Sequence, residues 1–445
     1  MIVSHPTVEK MSKLLDIDMK IKPPPQLDAE WLRLLCLDCG ADDVGFVSLD
    51  RPELVGEKAH ILEALPRTRT LISFVSRLNR EAVRSVNRSI TNLEFHHNYE
   101  HVNEIGREIV RRLEDQGVRA LNPSAGFPME MDRFPGRIWV VSHKTVAVAA
   151  GLGQMGLHRC VIHPQFGSFI SLGTILIESE VTSETRPIDF NPCLDCKLCV
   201  AACPVGAISP EGHFNFANCA THNYREFMGG FSDWVEQVVE SKDKFDYRTR
   251  MALSETASMW QSLSFGPNYK AAYCVAACPA GEDVILPFLR NKPAFVKEVV
   301  RPLQEKVEPI YVIKGSDAEG HVKKRFPGKK PKLVRSGLRP SSAASFIAAL
   351  PLLFQPGQAK EMNVRYRFIF SGADTTRADV FICEGKLHIN PDGAVSPDVT
   401  IRADATTWLR FLSEEISIVW ALLTLRIRIS GKIWLMKDFQ KCFPT

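Results

Sequence analysis

The sequence predicts an α+β multidomain protein, and three observations lead there. A chain of 445 residues, 45% hydrophobic and 24% charged, is long enough for about two to four domains, each burying its own core. Its twelve cysteines are not scattered, since seven fall between Cys193 and Cys278. That is a metal pattern and not the disulfide framework of a small secreted domain. Strand and helix signals alternate ahead of this stretch, and a second set of strands with flanking helices follows it. The predicted divisions are an N-terminal arm at 1–26, an α/β core at 27–185, a cysteine-rich module at 186–290, a helix and basic linker at 291–341, and a small α+β unit at 342–445.

The arm ends in three consecutive prolines, Pro23 to Pro25, which cannot continue a helix. Residues 29–39 carry apolar side chains at helical spacing and stop at Gly40. Cys36 and Cys39 form a C-x-x-C on that helix. Without a surrounding βαβ unit they read as packed cysteines and not as a redox pair. Strands are expected at 44–49 and 70–75, with a helix at 58–65 between them. A long amphipathic helix at 91–116 carries His96, His97, Tyr99 and His101 near its start, where a surface role and a pocket role both stand open.

Residues 137–150 lead into Gly151-Leu-Gly153-Gln-Met-Gly156. This nearly spells a dinucleotide fingerprint, but no strand–turn–helix unit with an acidic residue about twenty positions on follows it. A glycine-rich loop between apolar segments also lets backbone approach a large flat ligand. His158 and Cys160 come next, the lone Cys160 reading as packed. A helix is expected at 288–307. Residues 314–340 hold Lys323, Lys324, Arg325, Lys329, Lys330, Lys332, Arg335 and Arg339 with no acid after Glu319. By composition this is a solvated linker, with a landing strip for tRNA or another polyanion as the sharper reading. The last unit reads as a helix at 343–354, strands at 366–370 and 399–402, an alternating hairpin at 380–389, a turn at Asp392-Gly393, and helices at 406–415 and 416–425. The two apolar helices pack a core, or line a lipid tunnel.

Net charge is +4, which by itself does not argue for nucleic acid. No basic-then-apolar leader opens the chain and no run reaches the ~20 apolar residues of a membrane helix. A cytoplasmic location and no membrane span are expected.

The chemistry lies in Cys193-x-x-Cys196-x-x-Cys199-x-x-x-Cys203-Pro204. Three closely spaced thiolates wrap three corners of an iron–sulfur cube, and the fourth leaves in a new helical direction to serve another cluster. Zinc usually takes two separated pairs of ligands instead. Cys274-x-x-x-Cys278-Pro279 repeats the end of this motif, so two 4Fe–4S clusters are implied. By the crossing rule, Cys278 joins Cys193, Cys196 and Cys199, while Cys203, Cys219 and Cys274 belong to the other cube. A fourth ligand is missing there, because position 271 is Ala271. Three options stand open: a 3Fe–4S cluster, a non-cysteine ligand such as His222, or recruitment of Cys160 or a small molecule.

Val141-Ser-His143-Lys144, Ala150-Gly-Leu-Gly-Gln-Met-Gly156, His163-Pro-Gln-Phe-Gly and the cysteine run together resemble the epoxyqueuosine reductases and the related reductive dehalogenases, over residues 30–290. The resemblance implies a nitroreductase-like α/β core that holds base-off cobalamin beside a two-cluster ferredoxin-like module. It places Gly151, Gly153, Gly156 and His158 at the cofactor. In epoxyqueuosine reductases an acidic proton donor lies about thirteen residues before Ala-Gly-Leu-Gly, and here that place falls near Arg137. His143, Lys144, Tyr99 and His101 are then the candidate proton donors. Arg137 and Lys144 are also candidates to hold an anionic substrate or the corrin periphery. The last unit resembles a sterol-carrier-protein domain through Phe368-Ile-Phe-Ser-Gly372, Gly385-Lys-Leu-His-Ile389 and Pro397-Asp-Val-Thr-Ile-Arg402. The expected function is a cobalamin-dependent iron–sulfur reductase, fed by a ferredoxin- or flavodoxin-type donor, acting on a hydrophobic small molecule or lipid. The alternatives are an epoxyqueuosine reductase acting on tRNA and a non-catalytic electron carrier.

Overall fold

The computed structural model describes residues 6–7, 26–133, 136–189, 193, 195–270, 272–390 and 396–444. The first unit is built on an antiparallel sheet with the strand order Asp43–Ser48, Thr70–Arg77, Ile170–Ile177, Ala120–Leu121. Thr70–Arg77 has a neighbour on each edge and helices on each face, so only its last residue is exposed. That is why apolar residues fall on both of its faces, interrupted only by Ser73 and Ser76. Successive side chains still point to opposite faces. Ile72 and Phe74 pack with Leu32 of helix Ala29–Asp38 and with Ile105 and Ile109 of helix Arg88–Glu114. Leu71 packs with Ile61 of helix Val55–Ala64 and with Val146 and Ala149 of helix His143–Ala149. The result is a helix–sheet–helix sandwich. Cys36 is part of its core, and burial pushes its thiol far above the usual range.

Helix His143–Ala149 carries two of the candidate site residues on its first turn. Ser142 caps it by accepting from the Thr145 amide at 3.4 Å. Gly151, at φ +74°, turns the chain out of it in the left-handed conformation. A short hairpin then pairs Gln154–Met155 with Val161–Ile162.

The cysteine-rich module has helices Leu198–Ala202, Phe216–Asn223 and Tyr273–Ala276 beside its thiols. Three more helices, Gly229–Glu240, Lys244–Arg250 and Leu253–Phe265, lie between Cys219 and Cys274. Arg225 and Asp233 form a buried ion pair under them at 2.5 Å, and Arg225 also lies 5.1 Å from the Tyr311 ring.

The expected basic linker is corrected. Strands Pro309–Ile313 and Lys330–Val334 pair in parallel and are joined by helix Asp317–Arg325. Ile310, Val312, Ala318 and Val322 bury against the module. The cations that suggested a linker are largely neutralised from a distance. Lys329 donates to Glu308 at 3.0 Å and to two carbonyls, and Lys332 pairs with Glu255. Arg335 holds Glu240 at 2.7 Å and Arg339 holds Glu236 at 2.6 Å. Lys324, Arg325 and Lys330 remain exposed.

The last unit is a five-stranded sheet in the order Lys386–Asn390, Arg377–Cys383, Asn363–Ser371, Val399–Asp404, Ile427–Gly431. Val364, Tyr366, Phe368 and Phe370 alternate inward along Asn363–Ser371. The expected hairpin turn falls at Glu384 and Gly385, both at positive φ. The Asp392-Gly393 turn lies outside the described residues. Phe346 of helix Ala343–Leu353 and Trp408 of helix Ala405–Leu412 fill the covered face, their rings 5.3 Å apart and each within 5.8 Å of Phe368. Helix Ile418–Leu423 meets that interior only through Ala421 and Ile418, a core contact and not a tunnel lining. Val419, Trp420 and Leu423 are exposed and only Ala421 is buried.

Candidate active site

The described thiols of the module form two overlapping sets, with Cys199 close to both. Cys199 has Cys278, Cys196 and Cys193 as its charged neighbours, and burial together with these thiolates pushes it up to about 12. Cys193 and Cys278 lie in one small cluster with Ile162 and Ala280. Cys219 is also pushed up to about 12, by burial and then by Cys203 and Cys160. Bare thiolates so placed are desolvated and mutually repelled, and a cationic cluster between them removes both penalties. Among the described residues no three Cys, His, Asp or Glu groups stand close enough for a single metal ion. A cubane binds one thiolate at each corner, so its ligands stand farther apart than those of one ion. Ala271 lies outside the described residues.

Where the core meets the module there is a cavity of about 690 Å³. Tyr99 enters it from helix Arg88–Glu114, His143 and Lys144 from the first turn of helix His143–Ala149, and Arg137 from the preceding loop. His158 and Cys160 reach it from the hairpin turn, and Cys219 and Cys274 form its module side. The structure thus brings together Tyr99, Arg137, His143, Lys144 and His158 with two thiols of the second group.

Each candidate has a distinct local state. Both nitrogens of His143 are engaged. Its Nε2–H donates to the Ser124 carbonyl at 2.9 Å, and the Thr174 hydroxyl donates to Nδ1 at 2.9 Å. Burial lowers its pKa, so it is a neutral ring fixed between two partners and a poor proton donor. Arg137 is turned to buried Glu57, donating at 3.2 Å and through a second, shorter contact, so its charge is already neutralised. Lys144 donates to the Arg159 carbonyl at 2.8 Å. Its ammonium acts on Tyr99, Cys160 and Cys219. Burial holds the Tyr99 phenol above its usual range, and Tyr99 hydrogen-bonds Tyr269. Burial works against a charged His158, but the sulfurs of Cys160 and Cys278 raise it, and its Nε2 has no hydrogen-bond partner.

Two expectations are corrected. His101 is exposed and sits beside Gly40, outside the cavity. Two positions along a helix rotate a side chain by about 200°, so Tyr99 and His101 cannot share a face. The three glycines do not present an open cradle either. A Cβ at Gly151 would stand 2.2 Å from the Arg186 carbonyl oxygen, and one at Gly153 2.4 Å from that of Ile162. At Gly156 it would meet Ile162 and His158. They allow the chain to pack on itself, and none of the three lines the cavity. Sequence reasoning missed Tyr224, Phe227 and Tyr269, which form an aromatic wall with Phe227 and Tyr269 centroids 5.1 Å apart. The cysteine pattern points to the segment but not to these rings.

Residues 186–209 match the family model described as "4Fe-4S binding domain". The epoxyqueuosine reductase of Listeria monocytogenes is 24% identical over 194 residues, which is 43% of this chain and 43% of that protein. The epoxyqueuosine reductase of Staphylococcus aureus is 35% identical over 80 residues, 18% of this chain and 20% of that protein. The chain therefore spans less than half the length of these curated relatives. A solved reductive dehalogenase, whose structure "suggests a mechanism for B12-dependent dehalogenation", is 17% identical with a TM-score of 0.35, covering 53% of this chain and 36% of that one. The cysteine run and the match to it define the class, an iron–sulfur protein. Within that class the chain is similar, over part of its length, to the curated epoxyqueuosine reductases. Among the described residues no helix is long and apolar enough to cross a membrane.

Proposed function

We propose that the protein is a reductase that relays single electrons through two iron–sulfur clusters into the cavity, where an apolar small molecule is reduced. The observation that carries this reading is the position of Cys219 and Cys274. They belong to the second thiol group and also form a wall of the cavity that holds Tyr99, His143 and Lys144. A cluster bound there would open onto the cavity with no protein layer between. We read the first unit as nitroreductase-like, the module as ferredoxin-like, and the last unit as sterol-carrier-like. A ferredoxin- or flavodoxin-type protein supplies the electrons.

The broad aromatic walls, with Trp139, Phe216, Tyr224 and Phe227, fit a large flat cofactor. The resemblance implies a corrinoid, which Trp139, Arg159 and Tyr224 would hold. Bound there, it supplies a centre that gathers two electrons from a one-electron relay. The residues of the chain do the rest. Tyr99, kept protonated by burial, delivers the proton, and Lys144 supports the phenolate left behind. His143 fixes the loop at Ser124 against strand Ile170–Ile177.

The names of the curated relatives favour a second reading, reduction of epoxyqueuosine in tRNA. Against it, Lys329, Lys332, Arg335 and Arg339 are engaged by acids, which weakens the case for a polyanion strip.

The test is anaerobic reconstitution with iron, sulfide and cobalamin, followed by turnover with apolar acceptors and with epoxyqueuosine tRNA, using reduced flavodoxin. Cobalt near one per chain and turnover of an apolar acceptor are expected. Tyr99→Phe should lower kcat by about 10²–10⁴-fold at unchanged iron content. Turnover of the tRNA alone selects the second reading. Iron without cobalt or turnover makes the protein an electron carrier.

A further inference from the structure

We infer that Cys160 is the fourth ligand of the second cluster, completing the set Cys203, Cys219 and Cys274 from the core side of the cavity. The inference rests on the two-cluster reading above and adds the residue that the motif lacks. The module offers three thiols to this cluster, because the place of the fourth is Ala271 and a methyl group binds no iron.

Cys160 is placed to fill the gap. It lines the same cavity as Cys219 and Cys274. Those two thiols also pack in one cluster with Cys203. Cys160 therefore shares a cavity with two of the three thiols the module offers.

Its position is fixed by the turn that carries it. The Gly156 amide donates to the Cys160 carbonyl at 3.0 Å and the Arg159 amide to the Gly156 carbonyl at 2.9 Å. Arg159 adopts φ +62°, a strained value for a residue with a side chain. The Cys160 amide donates to His158 Nδ1 at 3.1 Å. Lys144 donates to the Arg159 carbonyl at 2.8 Å, which ties the turn to helix His143–Ala149. Coordination needs the thiolate, so the thiol releases its proton as the iron–sulfur bond forms, with no change in oxidation state.

The rival donors fit less well. His222 accepts from the Tyr311 amide at 3.3 Å through Nδ1, and its charged neighbours are Lys270, Arg88, Lys329 and Lys306 rather than thiols. It does not line the cavity. His158 does, and although the buried Nε2 of both histidines has no hydrogen-bond partner, its place in the cavity makes it the competitor to test.

The experiment compares wild type, Cys160→Ala and His158→Gln after anaerobic reconstitution, by iron and sulfide analysis and by EPR. Wild type should hold about eight irons per chain. Cys160→Ala should lose about one iron and show a three-iron signal, or lose the second cluster whole, while the first keeps its spectrum. His158→Gln should keep both. A Cys160→Ala protein with wild-type iron and spectrum overturns the assignment, as does loss of iron in His158→Gln alone. Wild type with about four irons overturns it together with the two-cluster reading. A second measurement needs no variant. Iodoacetamide should label Cys160 in the apo protein and not in the reconstituted one, and equal labelling in both refutes ligation.

Discussion

The ion pair under the module tests the packing that holds the cavity wall. Arg225 and Asp233 have side chains only 3% and 1% exposed and meet at 2.5 Å. Asp233→Ala leaves a guanidinium buried without its charge partner, which costs about 3–5 kcal/mol. At about 1.36 kcal/mol per factor of ten, that is roughly a 10²–10⁴-fold rise in the opening equilibrium of the segment. Arg225 follows Tyr224 directly and stands two residues from Phe227, so the cost falls on the aromatic wall. Peptide-resolved hydrogen exchange on the reconstituted protein reads it locally, which suits a multidomain chain better than one global melting curve. Exchange across Gly229–Glu240 should accelerate strongly in Asp233→Ala. The double variant Arg225→Met, Asp233→Leu should return to within about 1 kcal/mol of wild type, since an apolar pair needs no charge compensation. A single variant that exchanges like wild type, or a double variant worse than the single, would show that this pair is not what holds the segment.

Two further predictions concern the loop behind the cavity. Gly151→Ala should destabilise the first unit by about 1–3 kcal/mol, read as an earlier urea transition. The new Cβ meets the Arg186 carbonyl oxygen and the residue must keep φ +74°. The pair of Glu57 and Arg137 sets a pH dependence. Burial alone would raise the Glu57 carboxyl, but Arg137 and the Ser142 amide hold it below its ordinary range. A folded pKa below the unfolded one, about 4.3, contributes stability that is present above that value and lost as pH falls through the folded pKa. Arg137→Met removes this and leaves the carboxylate buried. The variant should be less stable than wild type at pH 7, and the gap should close below about pH 4, where Glu57 protonates. A gap that stays constant from pH 7 to 4 would rule out the ion pair as its source.

Local chemistry is legible in the sequence, and long-range pairing is not. The cysteine spacing marks the module because close thiolates serve one cube whatever the rest of the chain does. The buried strand Thr70–Arg77 announces itself because both of its faces are covered. The basic stretch misleads because its partners lie far away in sequence, Glu236 and Glu240 being 95 to 103 residues from Arg335 and Arg339. No local pattern reports such pairs. The glycines mislead for the opposite reason. Gly151 and Gly153 do sit where backbones come close, but the approaching backbone is the chain's own. His101 shares a sequence cluster with Tyr99 but not a helix face.

The arrangement of the thiols gives the relay a direction. Cys193 and Cys196 are half-buried with Asp195 and Lys197 exposed beside them, so under the proposed relay the first group would lie nearer the surface open to a donor. The second group faces the cavity. His158 stands between the two, with Cys160 and Cys278 as its sulfur neighbours. If the fourth ligand came from the module, the second cluster would belong to the module alone, and small shifts between units would change its distance to the substrate. A ligand at Cys160 comes instead from the hairpin beyond helix His143–Ala149, the helix that carries Lys144. A cluster so held would fasten the core to the module at the cavity wall, and the turn at Arg159, rather than how the two units pack, would set its position.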